Sequence, residues 1–143
     1  MESYRVYHGT GARFSTFQCP AYFTDSLETA EFFADRNASA GTPTVLTCEL
    51  LFENPLVVDL SGQSWGGFFL SDGQLQKRVV EFAACGDEDE QEYFMEEGIT
   101  VPFLASYAET LGYDGLVAYN CMEEDGRCSL QAVVFYPDCV LIK

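Results

Sequence analysis

Positive charge is what this sequence has least of. Seven lysines and arginines stand against 23 aspartates and glutamates in 143 residues, a formal net charge of −16. Phosphate backbones and anionic lipid surfaces are repelled by such a balance, which argues against generic nucleic-acid binding and against adherence to a membrane. No apolar run approaches the roughly 18 residues of a membrane span. The opening MESYRVYH has no basic segment followed by an apolar stretch, so the expected compartment is the cytoplasm of the producing cell or of a host cell. Histidine occurs once, as His8, and no Cys-x-x-Cys pair exists, so a tetrahedral zinc site lacks its usual ligand spacing and no metal is expected. The glycines are followed by no Gly-Lys-Ser or Gly-Lys-Thr and form no G-x-G-x-x-G, which removes the P-loop and the dinucleotide fingerprint. The six cysteines are an even number, but a chain that is 48% hydrophobic and 15% aromatic has a core without staples, so free thiols are predicted.

What is present suits one domain over residues 1–143. Tyr4 to His8 reads as a strand broken by Gly9-Thr10-Gly11, and Ala21 to Thr24 as a second short strand. Asp25 to Asp35 is helical, capped by Asp25 or Ser26, with Leu27, Ala30, Phe33 and Ala34 on one face. Thr44 to Phe52 is a central strand candidate, and Leu56 to Leu60 follows after Asn54-Pro55. Gln74 to Ala84 reads as a helix, and the acidic run Asp87 to Glu92 as the solvent face of a short one. A helix near Pro102 has Leu104, Ala108 and Leu111 as its buried stripe and stops at Gly112. Leu116 to Tyr119 and Leu130 to Tyr136 are strands separated by an acidic loop, Asn120 to Cys128, and Val140 to Ile142 is a last strand. Strands and helices do not alternate regularly, so the class is α+β.

Two aromatic positions and one histidine offer chemistry. His8 ends a strand beside glycine, where its ring can hydrogen-bond a ribose hydroxyl while Gly9 lets another molecule approach the backbone; the plain alternative is a strand-end histidine. Tyr22 and Phe33 are placed to stack on a flat heterocycle, or else are core aromatics. Cys-His and paired-carboxylate catalysis have no supporting spacing.

Together these segments resemble the ADP-ribosyltransferase superfamily, in its poly-ADP-ribose-polymerase and diphtheria-toxin-like branch and its small phage and bacterial members. Val6-Tyr7-His8-Gly9-Thr10-Gly11 resembles the first motif, which sets a histidine and glycine against the ribose and carboxamide of NAD. Ala21-Tyr22-Phe23-Thr24-Asp25 resembles the second, whose tyrosine stacks on nicotinamide, and Phe33 falls where the family often has an opposing aromatic. Gly112 to Val117 resembles the lead into the third motif, and Gln131-Ala132-Val133-Val134-Phe135 with Pro137-Asp138 resembles that motif itself. The middle of the chain, about 62–100, matches least.

The resemblance implies split mixed and antiparallel sheets with peripheral helices around an NAD cleft. It implies NAD as substrate and His8, Gly9, Thr10, Tyr22 and Phe33 as its binding residues. The catalytic set is His8, Tyr22, Gln131 and Glu124. Where active members carry a glutamate, this chain has Gln131, which hydrogen-bonds but brings no negative charge to a developing cation. The loop acids Glu123, Glu124 and Asp125 are the alternatives, with Glu124 preferred. The implied function is mono-ADP-ribosylation of a protein target with a basic surface, in the manner of a phage or effector protein that disarms a host factor. The alternative is an inactive binding module for NAD, ADP-ribose or a basic partner. RNA 2′-phosphotransfer, on the same fold, needs basic residues that are scarce here.

The charge also carries a stability expectation. Mutual repulsion of 23 acids on a small surface is screened by salt, so the melting temperature should rise from low to moderate ionic strength. A flat or falling trend in a salt series followed by circular dichroism would show that the repulsion is locally compensated.

Overall fold

The computed structural model describes residues 2–10, 20–37, 42–123 and 125–143. In chain order the elements are β1 (Glu2–Thr10), β2 (Ala21–Thr24), α1 (Leu27–Asn37), β3 (Thr44–Phe52), β4 (Pro55–Asp59), α2 (Gly73–Ala84), α3 (Glu88–Glu97), α4 (Val101–Thr110), β5 (Gly115–Met122), β6 (Cys128–Val134), a 3₁₀ turn (Pro137–Cys139) and β7 (Val140–Ile142). The seven strands run in the order β4-β5-β6-β2-β1-β3-β7, antiparallel except for the β4–β5 pair. The architecture is α+β, as the sequence predicts.

Strand alternation sorts the side chains onto two faces. One face buries Leu116, Ala118, Val133 and Phe135 against Val79 and Val80 of α2 and Val101, Leu104 and Ala108 of α4. The other collects Val6, Leu46, Cys48, Leu50 and Phe52 with Phe23, Val117, Leu130, Ala132 and Val134. β3 and β5 are four strand spacings apart in the order, about 19 Å in a flat sheet. Yet a Cβ on Gly115 of β5 would strike the Phe52 ring of β3. The sheet is therefore doubled over, with β1-β3-β7 facing β4-β5-β6-β2 across the second core. The join between these leaves is thin. β1 pairs with β3 along its whole length, from Glu2–Phe52 to Thr10–Thr44, but with β2 only at Tyr7–Thr24. The expected split sheets are thus corrected to one hydrogen-bonded sheet, narrowed to a single pair at the fold line.

Several local expectations change with a physical reason. Gly9 and Thr10 do not break β1, because both keep partners in β3; Gly11 lies outside the described residues. Asp25 does not cap α1. Its carboxylate accepts from Leu130 N at 2.9 Å, while Ser26 Oγ accepts from Thr29 N at 3.2 Å and serves as the cap. The acidic loop expected over 120–128 is shortened, since β5 runs to Met122 and pairs there with Cys128, where β6 begins. Leu27 and Leu111, placed on buried faces by periodicity, are 42% and 56% exposed. Leu111 sits at the C-cap of α4, where its backbone has already left the helical stripe. Among the described cysteines, Cys48, Cys85, Cys121 and Cys128 are free thiols.

Candidate functional site

The fold line between the leaves brings two of the sequence-predicted residues, His8 and Tyr22, to one junction. Past the Tyr7–Thr24 pair, the His8 side chain spans from β1 to β2, its Nδ1 2.7 Å from the carbonyl oxygen of Tyr22. A carbonyl only accepts, so Nδ1 carries the proton. Burial lowers the His8 pKa, outweighing the carbonyl's opposite pull, which keeps the ring neutral near pH 7. A neutral ring protonated at Nδ1 presents Nε2 as an acceptor. The ring is 5.4 Å from that of Phe23 and tilted by 51°.

Tyr22 and His8 share this junction but not a face. Tyr22 packs against the helix-side core, whereas alternation puts His8 with Val6 and Phe23 on the other side. The Tyr22 side chain is half-buried, which raises its phenol pKa. Phe33 is half-buried in α1, and its ring stands edge-on to Phe32 at 5.4 Å, out of contact with the Tyr22 ring. Thr10 ends β1 opposite Thr44. Gly9 meets α1 rather than open space: a Cβ there would run into Ala30 O and come 2.7 Å from Ala34 N. Its missing side chain is what lets the helix lie on the strand.

A polar string runs along the helix-side face from Tyr22. Two residues on, Thr24 Oγ1 donates to Ser129 Oγ at 3.1 Å, and Ser129 Oγ donates to Glu123 Oε1 at 3.3 Å. Gln131 lies opposite Thr24 in the register, is buried, and has its Oε1 3.8 Å from Cys121 Sγ. Glu123 is only 4% exposed, and its Oε2 has no hydrogen-bond partner among the described residues. Burial, with smaller contributions from Asp125 and Asp25, pushes its pKa up to about 7 against the pull of Ser129. The burial also raises the neighbouring Cys121 thiol to about 12, which makes it a poor nucleophile near neutrality.

The turn that delivers Glu123 is tied down on both sides. Glu123 N donates to Arg127 O at 2.8 Å and Gly126 N to Glu123 O at 3.0 Å, closing the β5–β6 hairpin. Asp125 accepts from Thr29 Oγ1 of α1 at 2.8 Å, pinning the hairpin tip to that helix. Glu124 lies outside the described residues.

No protein-family model and no curated protein matches this chain.

Of the two loop carboxylates that the structure describes, Glu123 and Asp125, Glu123 is the more deeply buried. Its signal is subtle: with β5 extended to Met122, Glu123 is two residues past buried Cys121 and shares its side of the hairpin. Ser129 was not legible as a site residue. It becomes one because β6 begins at Cys128, which sets Ser129 and Gln131 on the same face.

Proposed function

We propose that this chain is an NAD-dependent mono-ADP-ribosyltransferase acting on a protein. The observation that carries the reading is the junction at which β1 and β2 part, with His8 bridging to the Tyr22 carbonyl. It joins the two residues that the first and second motifs of the resemblance require. Nε2 of a neutral His8 accepts from a ribose hydroxyl and Tyr22 offers its ring to nicotinamide, which requires NAD to straddle the opening where β1 and β2 part, since the two side chains leave opposite faces. The bond between nicotinamide nitrogen and the ribose anomeric carbon breaks, nicotinamide leaves with the electron pair, and a side chain of the target bonds to that carbon. The nucleophile's proton passes to a carboxylate or to water. Developing positive charge on the ribose favours a carboxylate, and Glu123 is the inward-facing candidate on the Thr24–Ser129 string.

Turnover is tested by nicotinamide release and by transfer of labelled NAD to proteins of a lysate. Tyr22→Ala should weaken NAD affinity about tenfold by removing a stacking surface. His8→Ala should lower affinity and turnover together, with turnover falling on the order of a hundredfold. Glu123→Gln should depress turnover more than Gln131→Ala at pH 8 and should not change NAD affinity. Turnover of the unaltered protein should rise with pH through about 7 as Glu123 ionises. If Gln131→Ala abolishes turnover while Glu123→Gln spares it, the working group is the amide.

A second reading has its own support. The position opposite Thr24 is a neutral, buried amide, which suits a module that holds NAD or ADP-ribose without cleaving it. Saturable NAD binding with no nicotinamide release from any lysate would favour that module.

A further inference from the structure

The sheet ends in two edge strands, and they are built differently. β7 is three residues long, and Lys143 just past it pairs with Glu49 of β3 at 2.9 Å. Short length and lysine both keep an edge from recruiting another chain. β4 has neither device. It runs for five residues, Pro55–Asp59, without a bulge, and no lysine or arginine occurs from residue 37 to residue 76. Among the described residues its one strand partner is β5. In a parallel ladder, alternate residues turn both backbone groups to the neighbour and the rest turn them away. Leu60 N donates to Tyr119 O at 2.8 Å, which fixes the phase. Leu56 and Val58 therefore face β5, while the C=O of Pro55 and the N–H and C=O of Val57 and Asp59 face outward. No described residue bonds to these outward groups. Proline stands at the first position, so its missing N–H falls at the rim of the edge and leaves the centre intact. Val57 is 45% exposed, in keeping with an uncovered edge. Carboxylates stand at both ends of the strand. Glu53 and Asp59 are exposed, and neither forms an ion pair with a described residue. Asp59 Oδ1 accepts from Ser61 N at 2.8 Å and from Asn120 Nδ2 at 3.1 Å, which holds the carboxylate in place and leaves Oδ2 for a guest.

We propose that the free edge of β4 takes up an extended segment of another protein as an added strand, one with an apolar centre and lysine or arginine at its ends. The outward groups of Val57 and Asp59 supply the ladder, and Glu53 and Asp59 select the flanking cations. Their separation along the strand sets those cations about six residues, or roughly 20 Å, apart. A second copy pairing through β4 would bring its own Glu53 and Asp59 and a further −16 of charge to the contact. Nucleic acid and lipid have no peptide groups to join the ladder. β5 and β6 separate β4 from β2, and the inference does not rest on ADP-ribosyl transfer.

The test uses the whole protein and a fluorescent peptide of about seven residues, valine alternating with threonine between terminal arginines. The peptide should bind, and on binding the Val57 and Asp59 amides should exchange with solvent about tenfold more slowly. A peptide of the same charge, N-methylated at the amides of one edge and then of the other, should lose about tenfold or more in affinity in one of the two forms, since it cannot complete the ladder. Val57→Pro removes an outward N–H that bonds to nothing in the free protein, so it should weaken binding about tenfold and keep the melting temperature. If that variant unfolds, the methylated peptides and the amide exchange of the unaltered protein still decide. Glu53→Gln with Asp59→Asn should weaken binding about tenfold at low salt, and Glu31→Gln with Glu81→Gln, an equal change in charge on exposed helix positions, should not. Full binding of both methylated peptides, equal losses in the two charge pairs, or a folded Val57→Pro protein with unchanged affinity would overturn the site. No binding of the unmethylated peptide would overturn it too. Protection of the Val57 amide that rises with protein concentration and needs no peptide would assign the edge to a second copy instead.

Discussion

Replacing Gly9 with alanine should destabilise the fold by about 3 kcal/mol or more, read as a large drop in the urea midpoint. The added methyl would press into Ala30 O and sit 2.7 Å from Ala34 N, both backbone atoms of α1. No rotamer change relieves such a clash, so the helix must lift away from β1. Ala30 and Ala34 are at 0% and 2% exposure, and lifting them opens that contact. Overpacking against flexible side chains costs about 1–3 kcal/mol, and a rigid backbone neighbour places this case at about 3 kcal/mol or more. That is a large part of the roughly 5–15 kcal/mol that holds a domain folded. Gly73→Ala is the matched control. No atom lies within 4 Å of its new Cβ, and it begins α2. Its urea midpoint should stay put or rise slightly. A Gly9→Ala protein with an unchanged midpoint would mean that α1 yields without cost. Lost activity in Gly9→Ala, on its own, is no sign of a contact with NAD.

The second large effect belongs to Glu123. Its carboxyl has an ordinary value of 4.5 and rises to about 7 in the fold because it is buried. The folded state holds that proton more tightly than the unfolded chain, so the group's stabilising contribution is fully present below about pH 4.5 and is lost as pH rises through 7. Each pH unit of this window is worth about 1.4 kcal/mol, and the whole shift about 3 kcal/mol. Glu123→Gln removes the titration and keeps the shape. At pH 8 the variant should be more stable than the unaltered protein by about 2–3 kcal/mol, and at pH 4.5 the two should match. Denaturant titrations of both proteins across that range read the difference directly, and other titrating groups cancel in it. A constant gap at every pH would show that Glu123 titrates as an exposed acid. Together with the expected loss of turnover, this result would make Glu123 a group that costs stability where it serves function.

The framework was legible wherever local pattern and tertiary demand agree. Thr44 to Phe52 alternates between half-buried and buried residues, as a strand covered unequally on its two faces should. Pro102 announces the first turn of α4, which the structure shows capped by the Thr100 hydroxyl accepting from Phe103 N. Reading failed where a residue answers to something distant in sequence. Gly9 looks like a strand breaker until α1 is laid across it. Asp25 looks like a helix cap until Leu130, 105 residues away, claims its carboxylate. The doubling of the sheet leaves no periodic trace, because both folded and flat sheets alternate with period two. In the site, His8 and Tyr22 were found through motif order, but their opposite facing depends on the β1–β2 register. The burial of Glu123 depends on how far the β5–β6 ladder runs, and turn-rich sequence there hid its length.

The narrow join at Tyr7–Thr24 also bears on how the molecule is made. β1 and β3 can pair as soon as residue 52 has been synthesised. β2 cannot pair with β6 until 128–134 exist, so Thr24 waits for a partner 105 residues downstream. Throughout that interval the β1–β3 pair has an apolar inner face without its cover and still lacks β7. Long-range strand pairing of this kind slows folding and leaves an open edge exposed to other chains. A nascent-chain arrest placed before β6 should therefore hold a species that chaperones bind and proteases cut, with protection arriving abruptly once β6 has cleared the ribosome.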